Sequence, residues 1–225
     1  MSVTLATLRT RVRYQADQES STFISDAELN FYLNNSAAEL HGLLCTLYED
    51  YYLTSSTFTL TSANTYTLPS NFFKLRGLDY DNAGSYITVP RFSFEERNRW
   101  QERYQRGDLE VWRAFRLMQG AIYILPEDDF AGTYRLWYLL NYTAMTSDAD
   151  TLSDLMGWDE YVVVDAAIKC LQKEESDASV LMARKAELKR RIEGEATNRD
   201  ASGPERITVV GSVDGLIDDV DSWCR

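Results

Sequence analysis

His41, the run Glu127-Asp128-Asp129 and the trio Arg99, Arg103 and Arg106 are the residues whose types and spacing could do chemistry in this chain. His41 is the one histidine. It sits inside a helical pattern without a paired serine, cysteine or acidic partner at a meaningful spacing, so a structural role is expected. The three carboxylates after Pro126 could serve acid–base hydrolysis or hold a hard cation. The plainer reading, a solvated acidic turn, is preferred, because adjacent acids at a loop tip are common. Arg99, Arg103 and Arg106 share one helix face, with Trp100 and Tyr104 interleaved. Such a face suits an acidic protein neighbour or plain solvent. Glu95, Glu96, Glu102 and Asp108 among the arginines weigh against nucleic acid. With no phosphate loop, GxGxxG, GxSxG or metal-ligand spacing, the expectation is no cofactor, no metal and no enzyme activity.

The elements that position these residues start with a long amphipathic helix from Ile24 to Tyr52. Ser25 caps it, Glu28 completes a capping box, and Ile24 with Leu29 forms a hydrophobic staple. Leu29, Leu33, Ala37, Leu40, Leu44, Leu47 and Tyr51 build one apolar stripe, around which the rest of the chain is expected to pack. Thr4 to about Ala16 reads as a shorter helix with Leu5, Leu8 and Val12 inward.

After Tyr52 the period drops to two. Thr57 to Thr61 and Thr65 to Leu68 flank Ser62-Ala63-Asn64 as a hairpin, and strands at Lys74 to Tyr80 and Tyr86 to Val89 flank Asn82-Ala83-Gly84. A second capping box, Ser93 with Glu96, opens a helix to about Gln105. Val111 to Met118 and Ala121 to Leu125 enclose a tight turn at Gln119-Gly120, and Tyr134 to Tyr142 alternates strictly.

Past Gly157 helices return, first with Tyr161, Val164, Ile168 and Leu171 on one stripe. The next is capped by Asp177, carries Leu181, Leu188 and Ile192 inward, pairs Glu187 with Arg191, and frays near Gly194. The fold class expected is α+β. Residues 1–53 and 150–199 form an antiparallel helical bundle, residues 54–149 a β-rich insertion with one helix, and residues 200–225 an extended C-terminal arm. In the arm Ile207, Val209, Val210, Leu216, Ile217 and Trp223 make no stripe long enough to fold alone, so they are expected to dock on a partner, Ile207 to Val210 as an added strand and Trp223 as the anchor.

The formal net charge of -12 argues against wrapping nucleic acid, whose phosphates demand clustered Lys and Arg. Arginine supplies 18 of the 23 basic residues, and there are 14 tyrosines. Both types are enriched where proteins meet proteins, which points to an assembly component. Cys45, Cys170 and Cys224 are odd in number and far apart, as expected of folding in a reducing compartment. The stretch from Met1 to Ala16 has no unbroken apolar core and carries Arg9, Arg11 and Arg13, so it reads as neither signal peptide nor membrane anchor.

The opening LATLRTRVRYQAD, then FISDAELNFYLNNSAAELHGLL, GWDEYVVVDAAIKCLQKEESDASVLMARKAELKRRI and NRDASGPERI together resemble the head-to-tail adaptor (connector) proteins of tailed bacteriophages, over roughly Leu5 to Ile207. The most specific pieces are Ser25-Asp26-Ala27-Glu28-Leu29-Asn30 and Gly157-Trp158-Asp159-Glu160-Tyr161. The resemblance implies a structural virion protein in the neck: a dodecamer ring docked on the portal protein, joining it to tail or nozzle proteins and lining the DNA channel without specific binding. It also implies folding in the host bacterial cytoplasm and no membrane partner. A head-completion or tail-terminator ring is the nearer alternative. A carboxylate-based cell-wall hydrolase carried in the virion is the alternative of another class.

Overall fold

A helix with almost no polar face must be surrounded by other elements, and residues 159–173 form such a helix. The computed structural model describes residues 3–18, 23–106, 113–152 and 157–196, and of residues 103–106 the backbone alone. Among these the protein is mixed α and β, with five helices and antiparallel sheets.

The chain enters through β1 (Val3–Thr4) and α1 (Leu5–Gln15), whose first turn is capped by Thr4, its hydroxyl accepting the Thr7 amide. Leu5, Leu8 and Val12 are fully buried. The arginines of α1 reach outward to other segments: Arg9 to Asp148, Arg11 to Asp159, Arg13 to Asp26. These links fix the helix against both chain segments beside it.

In α2 (Asp26–Leu47) Ser25 caps as expected, accepting the Glu28 amide at 3.3 Å, and Ile24 and Leu29 are both fully buried. Glu28 does not close a capping box. Its carboxylate instead accepts from Lys173 at 2.7 Å and from Tyr32 at 2.8 Å. The helix also stops at Leu47, short of the expected Tyr52, because the next turn is pulled toward the sheet: Arg76 holds Glu49 and Asp50.

The expectation that α2 is the organising helix is corrected by α4 (Asp159–Lys173). Here Val162, Val163, Ala166, Ala167 and Cys170 are buried alongside Tyr161, Val164 and Ile168, so burial runs nearly round the helix. Helices α1, α2 and α5 (Ser179–Ala196) all pack on it within one apolar core. Alanines and valines on its surface keep the neighbouring axes close. Asp177 accepts the Ser179 amide at the start of α5, as expected. The expected Glu187–Arg191 pair does not form. Arg184 takes Glu187 while also holding Glu160, and Arg191 pairs with Glu195.

One charged group enters this core. Asp165 is 5% exposed at its side chain and lies 2.6 Å from Lys169 and 2.8 Å from Lys185. Lys169 also donates to Ser36, and Lys185 to Glu39, so α2, α4 and α5 are tied at one point. Burial pushes the Asp165 carboxyl up, but hydrogen bonds from Lys169, Lys185 and Ser36 outweigh it and hold the group below its ordinary value.

The strands form a second core. A four-stranded sheet runs in the order β2 (Leu53–Leu60), β8 (Gly132–Leu140), β4 (Phe72–Asn82), β5 (Ser85–Thr88). A three-stranded sheet runs β3 (Thr65–Thr67), β7 (Ala121–Leu125), β6 (Ala114–Met118). The alternation read in β8 holds from Tyr134 through Leu136 to Tyr138, all buried between the sheets, and breaks at Leu139, which is fully buried while Leu140, the last strand residue, is partly exposed. Both tight turns form with left-handed backbone: Ala83 and Gly84 have φ of 54° and 91°, Gln119 and Gly120 of 48° and 79°, as a type I′ turn requires.

The hairpin expected over Ser62-Ala63-Asn64 does not form, since β2 pairs with β8 and β3 with β7. Phe58 and Tyr66 stack face to face at 3.7 Å instead. Splitting the strands between two sheets buries both rings in the shared core, which a flat two-stranded ribbon would not do. A last pair, β1 with β9 (Thr151–Leu152), returns the chain to the start of α1; nothing in the strand periodicity announced it.

Replacing Asp165 by Asn should lower the free energy of unfolding by about 3 kcal/mol at neutral pH, since both lysines lose their charged partner in a dry site. Because the folded carboxyl titrates below its ordinary 3.8, its contribution is full above that value and fades as pH falls through the folded one. Denaturant titrations from neutral to strongly acidic pH should therefore show the gap between wild type and Asp165→Asn closing in acid.

Candidate interaction surfaces

Trp100 is the residue that seats the short helix α3 (Arg97–Arg106), packing against Phe92, Ala114 and Leu125. Gln101 beside it binds the turn after Pro126 twice, accepting the Glu127 amide at 2.9 Å and donating to Asp128 at 2.6 Å. Arg99 is exposed on this helix. The side chains of Arg103 and Arg106 lie outside the described residues, as do the arm residues Ile207, Val209, Val210, Leu216, Ile217 and Trp223.

The helix does not open on a capping box. Ser93 makes no side-chain cap; Phe94–Glu96 form a 3-10 turn, with the Glu96 amide on the Ser93 carbonyl. The turn is braced through Phe94. Its ring is 49% exposed, yet the Arg97 guanidinium sits 4.3 Å from the ring centroid and that of Arg116, from β6, lies 5.9 Å away. Arg97 also donates to the Phe94 carbonyl and Arg116 to the Phe92 carbonyl, which fixes both guanidiniums over the ring. Arg91 is bonded elsewhere, to the Leu75 and Arg76 carbonyls, and lies against Phe115.

These arginines were missed by a reading that looked only along α3. The spacing of Phe94 and Arg97 was visible in the chain, but Arg116 arrives through strand pairing. Bonds to neutral carbonyls and rings orient a guanidinium without cancelling its charge. Among the described residues no ion pair involves Arg91, Arg97, Arg99 or Arg116. Glu95 and Glu96, both exposed, flank them on the same turn.

The acidic run is less free than a solvated loop tip. Asp129 lies 3.0 Å from the Arg113 guanidinium, and Arg113 also donates to the Asp129 and Ala131 carbonyls and stacks 3.8 Å from the Tyr80 ring centroid. Arg113 is 6% exposed, so Asp129 compensates a buried cation. Asp128 is engaged by Gln101, and Glu127 remains exposed.

His41 sits at the junction of the two cores. Its ring stacks on Tyr52 at 4.4 Å, meets Phe73 edge-on at 5.5 Å, and lies 3.8 Å from the Cys45 sulfur, a neighbour the sequence reading passed over. Burial lowers the imidazole below its ordinary value and so favours the neutral ring. Burial also pushes the thiols of Cys45 and Cys170 up to about 11, away from the reactive thiolate. Asn34 holds the same junction, its amide oxygen accepting Tyr142 and the Met145 amide and its nitrogen donating to the Met145 carbonyl.

Among the described residues no group of three His, Cys, Asp or Glu converges as metal ligands, and no helix is long and apolar enough to cross a membrane. The two carboxylates Asp129 and Glu127 should separate in a stability assay. Asp129→Ala is expected to cost about 1–3 kcal/mol by uncovering Arg113, and Glu127→Ala less than about 0.5 kcal/mol. Equal losses in denaturant titration would return the whole run to the solvated-turn reading.

The features gathered on these surfaces are arginines, aromatic rings and paired carboxylates. No curated protein matches the chain. The family model for SU10 adaptor protein matches residues 3–208, which spans α1 to α5, both sheets and the Phe94 turn, and the chain belongs to that family.

Proposed function

We propose that the protein is the head-to-tail adaptor of a tailed phage, a structural component that joins the portal to the tail. The family match over residues 3–208 carries this reading. On it, copies of the chain assemble as a dodecamer ring in the virion neck, beneath the portal protein and above tail or nozzle proteins, after folding in the host cytoplasm. DNA passes through the ring without being held, which the net charge of -12 favours. Residues 1–53 and 150–199 act as the helical bundle, residues 54–149 as a β-rich insertion, and residues 200–225 as an arm reaching the portal or a neighbouring copy.

A purely structural role is consistent with the way the polar groups are used. Asp128 and Asp129 are spent on Gln101 and Arg113, and His41 on an aromatic contact. The nearer alternative, a head-completion or tail-terminator ring, shares all of this and differs in position along the neck.

A phage deprived of this chain should yield DNA-filled heads and free tails that do not join, seen by electron microscopy. Supplying the full chain restores joined particles, while a chain ending at residue 202 does not. Joined particles formed without the protein would refute the adaptor role. Joined particles that merely fail to breach the cell wall would favour the hydrolase.

A further inference from the structure

We infer that the Phe94 clamp is one half of a contact between two copies of this chain, and that the acidic turn joining α4 to α5 is the other half. The inference rests on the ring proposed above and names the surfaces that meet in it.

The clamp has the chemistry of an anchor waiting for an acidic surface. Phe94 is exposed and held still by two guanidiniums, so its burial by a partner costs little conformational entropy. Aromatic rings and arginine are the types that dominate binding energy at protein interfaces. Arg97 and Arg116 each donate from a terminal guanidinium nitrogen to a backbone carbonyl, and no carboxylate of the described residues pairs with them. In a protein of net charge -12, arginines that leave the adjacent Glu95 and Glu96 unpaired suit a negative partner.

Another copy of the chain supplies one. Where α4 passes into α5, Glu174, Glu175 and Asp177 follow one another in the chain, and the adjoining Lys173 is already engaged by Glu28 and the Phe23 ring. Among the described residues Glu174 and Glu175 have neither an ion pair nor a side-chain hydrogen bond, and Asp177 binds Ser179 alone. The turn joins two helices of the helical core and the clamp lies beside the Phe92, Ala114, Leu125 and Trp100 cluster, and among the described residues no hydrogen bond or ion pair joins the two. Two different surfaces that meet only between copies make a heterologous contact. Repeated with a rotation that closes, such a contact builds a ring.

Charge exchange in phage particles tests the pairing. Arg97→Glu with Arg116→Glu, and separately Glu174→Lys with Glu175→Lys, should each reduce the chain's content per particle, measured by quantitative mass spectrometry against a head protein, by about tenfold or more. All four substitutions together should restore most of it. Either reversal incorporated at the wild-type level overturns the inference, and so does failure of the combined variant to recover. Circular dichroism melts identify variants that do not fold. For these a benzoylphenylalanine at position 94, with every charge in place, supplies the answer. Irradiated particles should then yield a homodimeric cross-link mapping to the 174–177 turn, and a cross-link to a different polypeptide would overturn the claim. Absence of the wild-type chain from particles would instead defeat the adaptor reading itself.

Discussion

Enclosing α4 is the constraint on which the rest of this structure depends. A helix buried on nearly every side needs neighbours along its whole length, and α1, α2 and α5 are placed to meet that need. Its one buried charge, Asp165, adds a directional requirement that apolar contacts lack. Lys169, Lys185 and Ser36 converge on it and favour its ionised form, and Glu39 shares Lys185, so the three helices have one favourable relative placement. Replacing such a network with apolar residues can leave stability intact, whereas removing one partner cannot. Asp165 thus sets a geometry more than it adds free energy.

The strands solve a different problem. Their core is separate, joined to the helices through the His41, Tyr52 and Phe73 cluster, through Asn34 and through Arg76 on Glu49 and Asp50. Exposed aromatic rings occur on both parts, Tyr14, Phe23 and Phe31 on the helical side, while the strand part adds arginines that have no ion pair among the described residues, Arg91, Arg97, Arg99 and Arg116. Phe94, Tyr86 and Ile87 stand exposed there, and Arg135 lies 3.6 Å from the Tyr86 ring centroid. Residues of these types in solvent contribute nothing to folding and have a use once another protein covers them.

What could be read from the chain alone was local. Ser25 as a cap, the turns at Ala83-Gly84 and Gln119-Gly120, and the alternation through Tyr134, Leu136 and Tyr138 each depend on a few neighbouring residues, and each is present. Apart from the 3-10 turn that replaces the Ser93–Glu96 capping box, the misses are long-range. Glu28 leaves its cap for Lys173, Arg184 takes Glu187 because Glu160 is near, and the strands around Ser62 separate because each finds a better sheet. The all-round burial of α4 was concealed by its one clear stripe, beside which Val162, Ala166 and Ala167 seemed indifferent. Asp129 and the Phe94 clamp depend on Arg113 and Arg116, which only strand pairing brings near. The family resemblance, by contrast, was legible, because it rests on contiguous segments at the starts of α2 and α4, and the SU10 adaptor protein model covers both.

A structural adaptor joins larger assemblies by surface complementarity, and exposed aromatic rings on both the helical and the strand cores, with arginines beside the latter, suit that task. The most direct measurement is a reconstruction of the virion neck by electron cryo-microscopy at a resolution that traces helices. The account predicts a ring of this chain between portal and tail, with α4 enclosed inside each copy and the Phe94 turn against a neighbour. A neck in which that position is filled by another polypeptide, with this chain elsewhere in the particle or missing from it, would contradict the account.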